Sequence, residues 1–135
     1  MANPKAAEAA IMRSMLGRAR GLGSAKSGTA HWWAQRVTAM ALVLLSLWFI
    51  ASALHLAGQP RAAVLTWAGG PVTATLLLAL VVATFHHMQL GLQVVIEDYV
   101  HAERCRLASL LVMKAVVALL ALAAVIAVLK LAFAG

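Results

Sequence analysis

Three long apolar stretches dominate this chain, and each is long enough to cross a bilayer. Residues 37–57 carry no charge, and neither do residues 62–96 after Arg61. Residues 107–133 carry only Lys114 and Lys130, near the two ends, where a lysine snorkels its ammonium to an interface. A hydrocarbon core of about 30 Å takes about 20 apolar residues in helical form. The middle stretch exceeds that need, and Ala68-Gly69-Gly70-Pro71 breaks it with a proline suited to a helix start. The spans are therefore expected at about 37–57, 72–96 and 107–133. Only helices or a closed barrel satisfy backbone polar groups in lipid, and runs without period-2 alternation are helices. The expected fold class is an all-α membrane protein with three transmembrane helices.

Composition excludes the alternatives. Apolar residues make up 64% of the chain and charged residues 11%. A soluble domain is nearer about 45–50% and about 25%. A self-contained soluble enzyme and a disordered chain are both excluded on that ground. A P-loop, a GxGxxG turn and a nucleophile elbow are missing, as is any internal repeat. The single Cys105 supports neither a disulfide nor a CxxCH haem attachment, and is expected as a plain thiol.

The net charge of +7 is then a matter of topology rather than of nucleic acid. Lys5, Arg13, Arg18, Arg20, Lys26 and Arg36 precede or open the first span. Arg104, Arg106 and Lys114 lie between or beside the second and third. Only Arg61 and Lys130 fall on the other side. The positive-inside rule sets the N-terminus in and the C-terminus out. Residues 1–30 are expected as a cytoplasmic segment and residues 31–135 as the three-helix anchor domain. Residues 17–28 are glycine- and serine-rich, residues 4–15 suit a short amphipathic helix, and no cleaved signal is expected.

Polar residues at membrane depth carry the functional signal, because each costs energy unless it has a partner or a task. If Tyr99 marks the cytoplasmic interface, His87 lies about 18 Å deeper, near the bilayer centre. A neutral imidazole there either hydrogen-bonds a neighbouring helix or ligates a metal, and spacing alone leaves both open. Helical geometry sets His87, Gly91, Val94 and Asp98 on one stripe. Gly91, one turn from His87, leaves room for a flat macrocycle, or equally for close helix packing. A second stripe of His86, Gln89 or Gln93, and Glu97 suits interhelical hydrogen bonding. No other histidine shares the depth of His87: His31 precedes the first span, His55 is near the outer surface, and His101 is at the cytoplasmic end. A haem with two axial imidazoles would draw its second ligand from another subunit.

Arg36 opens the first span in Trp32-Trp33-Ala34-Gln35-Arg36-Val37-Thr38-Ala39. It suits an interface anchor within an aromatic belt, or a clamp on an anion such as a haem propionate. Asp98 and Tyr99 lie toward the same side. Tyr99 is either an interfacial aromatic or a phenol donor to a quinone carbonyl, with Asp98 orienting it or relaying protons.

The run His87-x3-Gly91-x6-Asp98-Tyr99, with Arg36-Val37-Thr38-Ala39 at the start of the first span, resembles the hydrophobic membrane anchor (D) subunit of bacterial succinate dehydrogenase, respiratory complex II. The resemblance covers about residues 28–135; its His-to-Tyr block is specific and the remainder is mainly topology. It implies a subunit of succinate:ubiquinone oxidoreductase in the tricarboxylic acid cycle, in the inner membrane of a bacterium. It implies that His87 is an axial ligand of haem b, the second ligand coming from the C subunit. It implies that Tyr99, with Asp98 beside it, contributes to the ubiquinone site, and that Arg36 lies near the haem propionates and the quinone pocket. FAD and iron–sulfur clusters would belong to the flavoprotein and iron–sulfur partner subunits. His86 adjoins His87, and the match to the family together with the Gly91 register favours His87. Two other classes stay open at this point: a haem-free structural or assembly subunit, and a small transporter component lined by His86, Gln89, Gln93 and Glu97.

Overall fold

The computed structural model describes residues 28–133. The expected helix over residues 4–15 and most of the expected cytoplasmic segment lie outside the described residues. Four helices follow one another: α1 (Gly28–Leu56), α2 (Arg61–Gly69), α3 (Pro71–Tyr99) and α4 (Glu103–Ala132). The chain divides into two compact units, Met1–Trp32 and Trp33–Gly135. Of the first, only residues 28–32 are described, as the opening of α1. The second holds the rest of α1 together with α2, α3 and α4.

α1, α3 and α4 run for 29, 29 and 30 residues, and all three are long and apolar enough to cross a membrane. At 1.5 Å per residue each is about 44 Å long, so its ends reach beyond the hydrocarbon core. α3 is the least apolar of the three, because it carries His86, His87, Gln89, Gln93, Glu97 and Asp98.

The turns have local causes. Gly58 adopts φ +80°, a left-handed conformation that only glycine takes without strain, and it ends α1. Gly70 is extended at φ −61° and ψ 130°, and Pro71 opens α3 at a position where its missing N–H costs nothing. The break expected at 68–71 is therefore present. Val100 closes α3 by donating its N–H to the Ile96 carbonyl at 3.0 Å.

Three features differ from expectation. α1 begins at Gly28, nine residues before the uncharged stretch, because a helix needs no apolar side chains to continue past the lipid boundary. His31 is thereby helical. α2 is an additional short helix, hidden in sequence because its nine residues merge into the apolar run before Pro71. α3 continues to Tyr99 and α4 starts at Glu103, so the polar ends of both are helical too.

Burial is slight. Among the described residues only Ala68, Leu77, Leu90 and Val117 form a buried apolar set, one on α2, two on α3 and one on α4. The closest backbone approaches join α3 to α4 and α2 to both. At the α2 end, a Cβ on Gly69 would stand 3.3 Å from the Ala132 carbonyl oxygen, so glycine permits this close approach to α4. From Trp33 onward α1 meets the other helices through side chains: Trp48 stacks on Trp67 of α2 with centroids 5.9 Å apart at 22°. Large apolar side chains such as Leu44, Leu54, Leu111 and Leu119 stay exposed. In water that surface would be prohibitive; in lipid it is the ordinary outside of a membrane protein.

Candidate functional site

Hydroxyls inside apolar helices satisfy themselves on their own backbone. Thr66, Thr75 and Thr84 each donate to the carbonyl four residues back, at 3.0, 2.8 and 2.7 Å. Thr38 on α1 does the same, at 2.7 Å to Ala34 and 3.2 Å to Gln35. It differs in having a further partner: its Oγ1 lies 3.0 Å from Nδ1 of His87 on α3. Gln35, three residues earlier on the same face of α1, sets its Nε2 3.5 Å from Nε2 of His87. Both ring nitrogens of His87 thus face α1, and of the two roles the sequence leaves open for this part-buried imidazole, a hydrogen bond to a neighbouring helix is present.

The contacts are unequal. The Thr38 distance is that of a good hydrogen bond, whereas 3.5 Å lies at the weak limit. Gln35 Oε1 is buried without a hydrogen-bond partner, so this amide is poorly satisfied where it stands. A Cβ on Gly91 would meet nothing nearer than Gln35 Nε2 at 3.8 Å. Gly91 is therefore not a point of tight helix packing within this chain. It leaves the surface of α3 open one turn from His87, with only the Gln35 side chain in front.

This donor set fits a single axial contact to a haem iron: one imidazole nitrogen screened by a weakly held amide, beside a residue without a side chain. It does not fit a bare metal ion, since no three His, Cys, Asp or Glu side chains converge among the described residues.

The other candidate residues are placed apart from this pair. Asp98 and Tyr99 form the last turn of α3 and are exposed, Tyr99 to 78%. They stand about 17 and 18 Å along the axis from His87. Arg36 is exposed on α1 next to Gln35, eight residues, about 12 Å, from the helix start. His86 is exposed and makes no hydrogen bond among the described residues. On the polar stripe beside it, Gln93 donates to Glu97 Oε1 at 2.8 Å, an i,i+4 pair within α3. Cys105 is a free, exposed thiol on the first turn of α4.

An open apolar groove of about 610 Å³ runs between α3 and α4, lined by Met88, Leu92, Val112, Met113, Val116 and Leu120. Met88 and Leu92 lie about 100° and 140° around α3 from His87, so the groove is on another face from the polar pair.

Gln35 and Thr38 are the site residues that the sequence does not single out. Their signal is a 35/38 spacing that gives one helix face two hydrogen-bonding side chains at the depth of a histidine on another helix.

Residues 10–128 match the family described as succinate dehydrogenase/fumarate reductase transmembrane subunit. The chain is similar to a succinate dehydrogenase hydrophobic membrane anchor subunit of Rickettsia bellii, 36% identical over 102 residues, covering 76% of this chain and 82% of that one. It is similar to the protein of the same description in Paracoccus denitrificans, 35% identical over 81 residues, 60% of this chain and 63% of that one. A succinate dehydrogenase membrane anchor subunit of Reclinomonas americana is 29% identical over 94 residues, 67% and 78% of the two chains. No solved structure gives a significant match.

Proposed function

This chain belongs to the succinate dehydrogenase/fumarate reductase transmembrane subunit family, and from that premise we propose that it supplies one axial ligand to haem b and part of a ubiquinone site. It is a multi-pass membrane anchor subunit of that complex. The partners in this proposal are a flavoprotein subunit, an iron–sulfur subunit and a second hydrophobic anchor subunit. The membrane is a bacterial inner membrane, with the N-terminus on the cytoplasmic side.

The observation that carries the proposal is the environment of His87. A histidine in the interior of a membrane span has its Nδ1 held at 3.0 Å by Thr38, while only a long amide contact stands before Nε2. Gly91 leaves the adjacent helix surface bare. Arg36 is exposed on α1, about 100° around the helix from Gln35, and its guanidinium is the group that would reach a haem propionate. Tyr99 and Asp98 lie at the helix end toward which the iron–sulfur subunit would dock on the cytoplasmic side. There the phenol donates to a quinone carbonyl and the carboxylate serves proton uptake. Bound haem supplies a one-electron carrier; this chain contributes placement and electrostatics. FAD and the iron–sulfur clusters belong to the partners.

A reduced-minus-oxidised spectrum of the purified complex tests the haem assignment. A b-type α-band is expected, and its absence would sink the assignment in favour of a haem-free anchor. The quinone role predicts that Tyr99→Phe slows quinone reduction relative to dye reduction by the same preparation. An unchanged ratio would remove Tyr99 from the site. Orientation is checked by a reporter fused after Ala132: alkaline phosphatase is expected to be active there, and an inactive fusion would reverse the topology.

A further inference from the structure

We propose that Thr38 is the positioning residue of His87: it fixes the imidazole as the Nδ1–H tautomer and so leaves Nε2 unprotonated, with its lone pair as the acceptor. The inference rests on the haem reading above and extends it to a residue outside the ligand itself.

Proton counting carries it. A threonine hydroxyl has one proton and two acceptor lone pairs. Thr38 Oγ1 has two acceptors on its own helix, the Ala34 carbonyl at 2.7 Å and the Gln35 carbonyl at 3.2 Å. The Ala34 distance is as short as that of Thr84, whose hydroxyl has no rival partner, so the proton of Thr38 is committed to α1 in the same way. Oγ1 can then only accept from the ring at 3.0 Å. Nδ1 must carry the hydrogen, and in a neutral imidazole Nε2 must carry the lone pair. The same assignment suits Gln35, whose Nε2 donates to an acceptor at His87 Nε2, though at 3.5 Å. The tautomer follows from the hydroxyl without reference to haem, yet it is the one that iron ligation through Nε2 requires.

Two consequences follow. Thr38 holds the ring plane, so that Nε2 points toward the Gln35–Gly91 side before any ligand arrives. An Nδ1–H donating to an oxygen also makes the ring a stronger base, as outer partners of ligating histidines generally do. A more basic ligand favours ferric over ferrous iron.

The test compares Thr38→Val, Thr38→Ser and His87→Ala in the purified complex, reading haem per flavin, haem midpoint potential and the low-spin EPR spectrum. Thr38→Val keeps the shape and removes the acceptor. It is expected to raise the midpoint potential, alter the EPR g-values and weaken haem retention by about 10–100-fold. Thr38→Ser is expected to restore all three toward the parent, which a purely steric role would not do. Thr38→Ala carries the same expectation as Thr38→Val and replaces it if the valine variant does not assemble. Parental potential, spectrum and retention in the Val or Ala variant, with haem lost in His87→Ala, would overturn the role of Thr38 alone. A haem unaffected by His87→Ala would overturn the ligand assignment, and this inference with it.

Discussion

α3 meets α1 in a different way from α2 and α4. Toward α2 and α4 the backbones come close, glycine at 69 permits a tight approach, and the few buried apolar side chains all belong to these three helices. Toward α1, from Trp33 onward, close backbone approaches give way to side chains that span the gap: Thr38 and Gln35 on His87, and Trp48 on Trp67 of α2. Lipid provides no hydrophobic drive to join helices, so close packing and hydrogen bonds must do it, and the two seams divide those roles. The close one sets the fold. The polar one holds an imidazole in a chosen state beside a bare stretch of α3. A site that must admit a large planar ligand cannot be sealed by backbone packing, so the looser seam is the one that suits the proposed haem ligand.

Substitutions can break this division. Gly91→Leu is expected to have the largest effect after loss of His87. It fills the open surface beside the imidazole and should deplete haem while the anchor still enters the membrane, read as haem per flavin. Undiminished haem would show that the ligand does not use this surface. Leu77→Ala works on the other seam, about 15 Å from His87 along α3. The corresponding loss in a water-soluble core is about 2–5 kcal/mol. In lipid only the packing part of that loss remains, so a lower dissociation temperature with an unchanged haem potential is expected. A shifted potential would mean that the two seams are not separable. Trp48→Ala removes a stacked pair worth about 0.5–1.5 kcal/mol and is expected to lower thermal stability modestly. Glu97→Gln should have the smallest effect, since an exposed i,i+4 pair contributes about 0.2–0.5 kcal/mol.

Much of the fold was legible in the sequence for a physical reason: lipid imposes length and apolarity on each span directly. The three spans and the break before Pro71 follow from that, and His87 stands out because a titratable group at membrane depth is costly. Helix ends were less legible, since residues 28–36 and 97–99 carry polar side chains and stay helical outside the apolar run. α2 was invisible because nine apolar residues beside a longer apolar stretch carry no separate period. The pairing of Thr38 and Gln35 with His87 depends on the rotation and relative depth of two helices, which no pattern along one helix specifies. Glu97, placed by the sequence on a stripe suited to interhelical hydrogen bonding, accepts a hydrogen bond from Gln93 within α3.

If His87, held by α1, is the ligand this chain brings to haem, the adjoining His86 supplies the internal control. Reduced-minus-oxidised spectra of complexes carrying His86→Ala and His87→Ala, normalised to flavin, test that assignment most directly. A parental b-type α-band is expected with His86→Ala and none with His87→Ala. Loss with His86→Ala and retention with His87→Ala would contradict it.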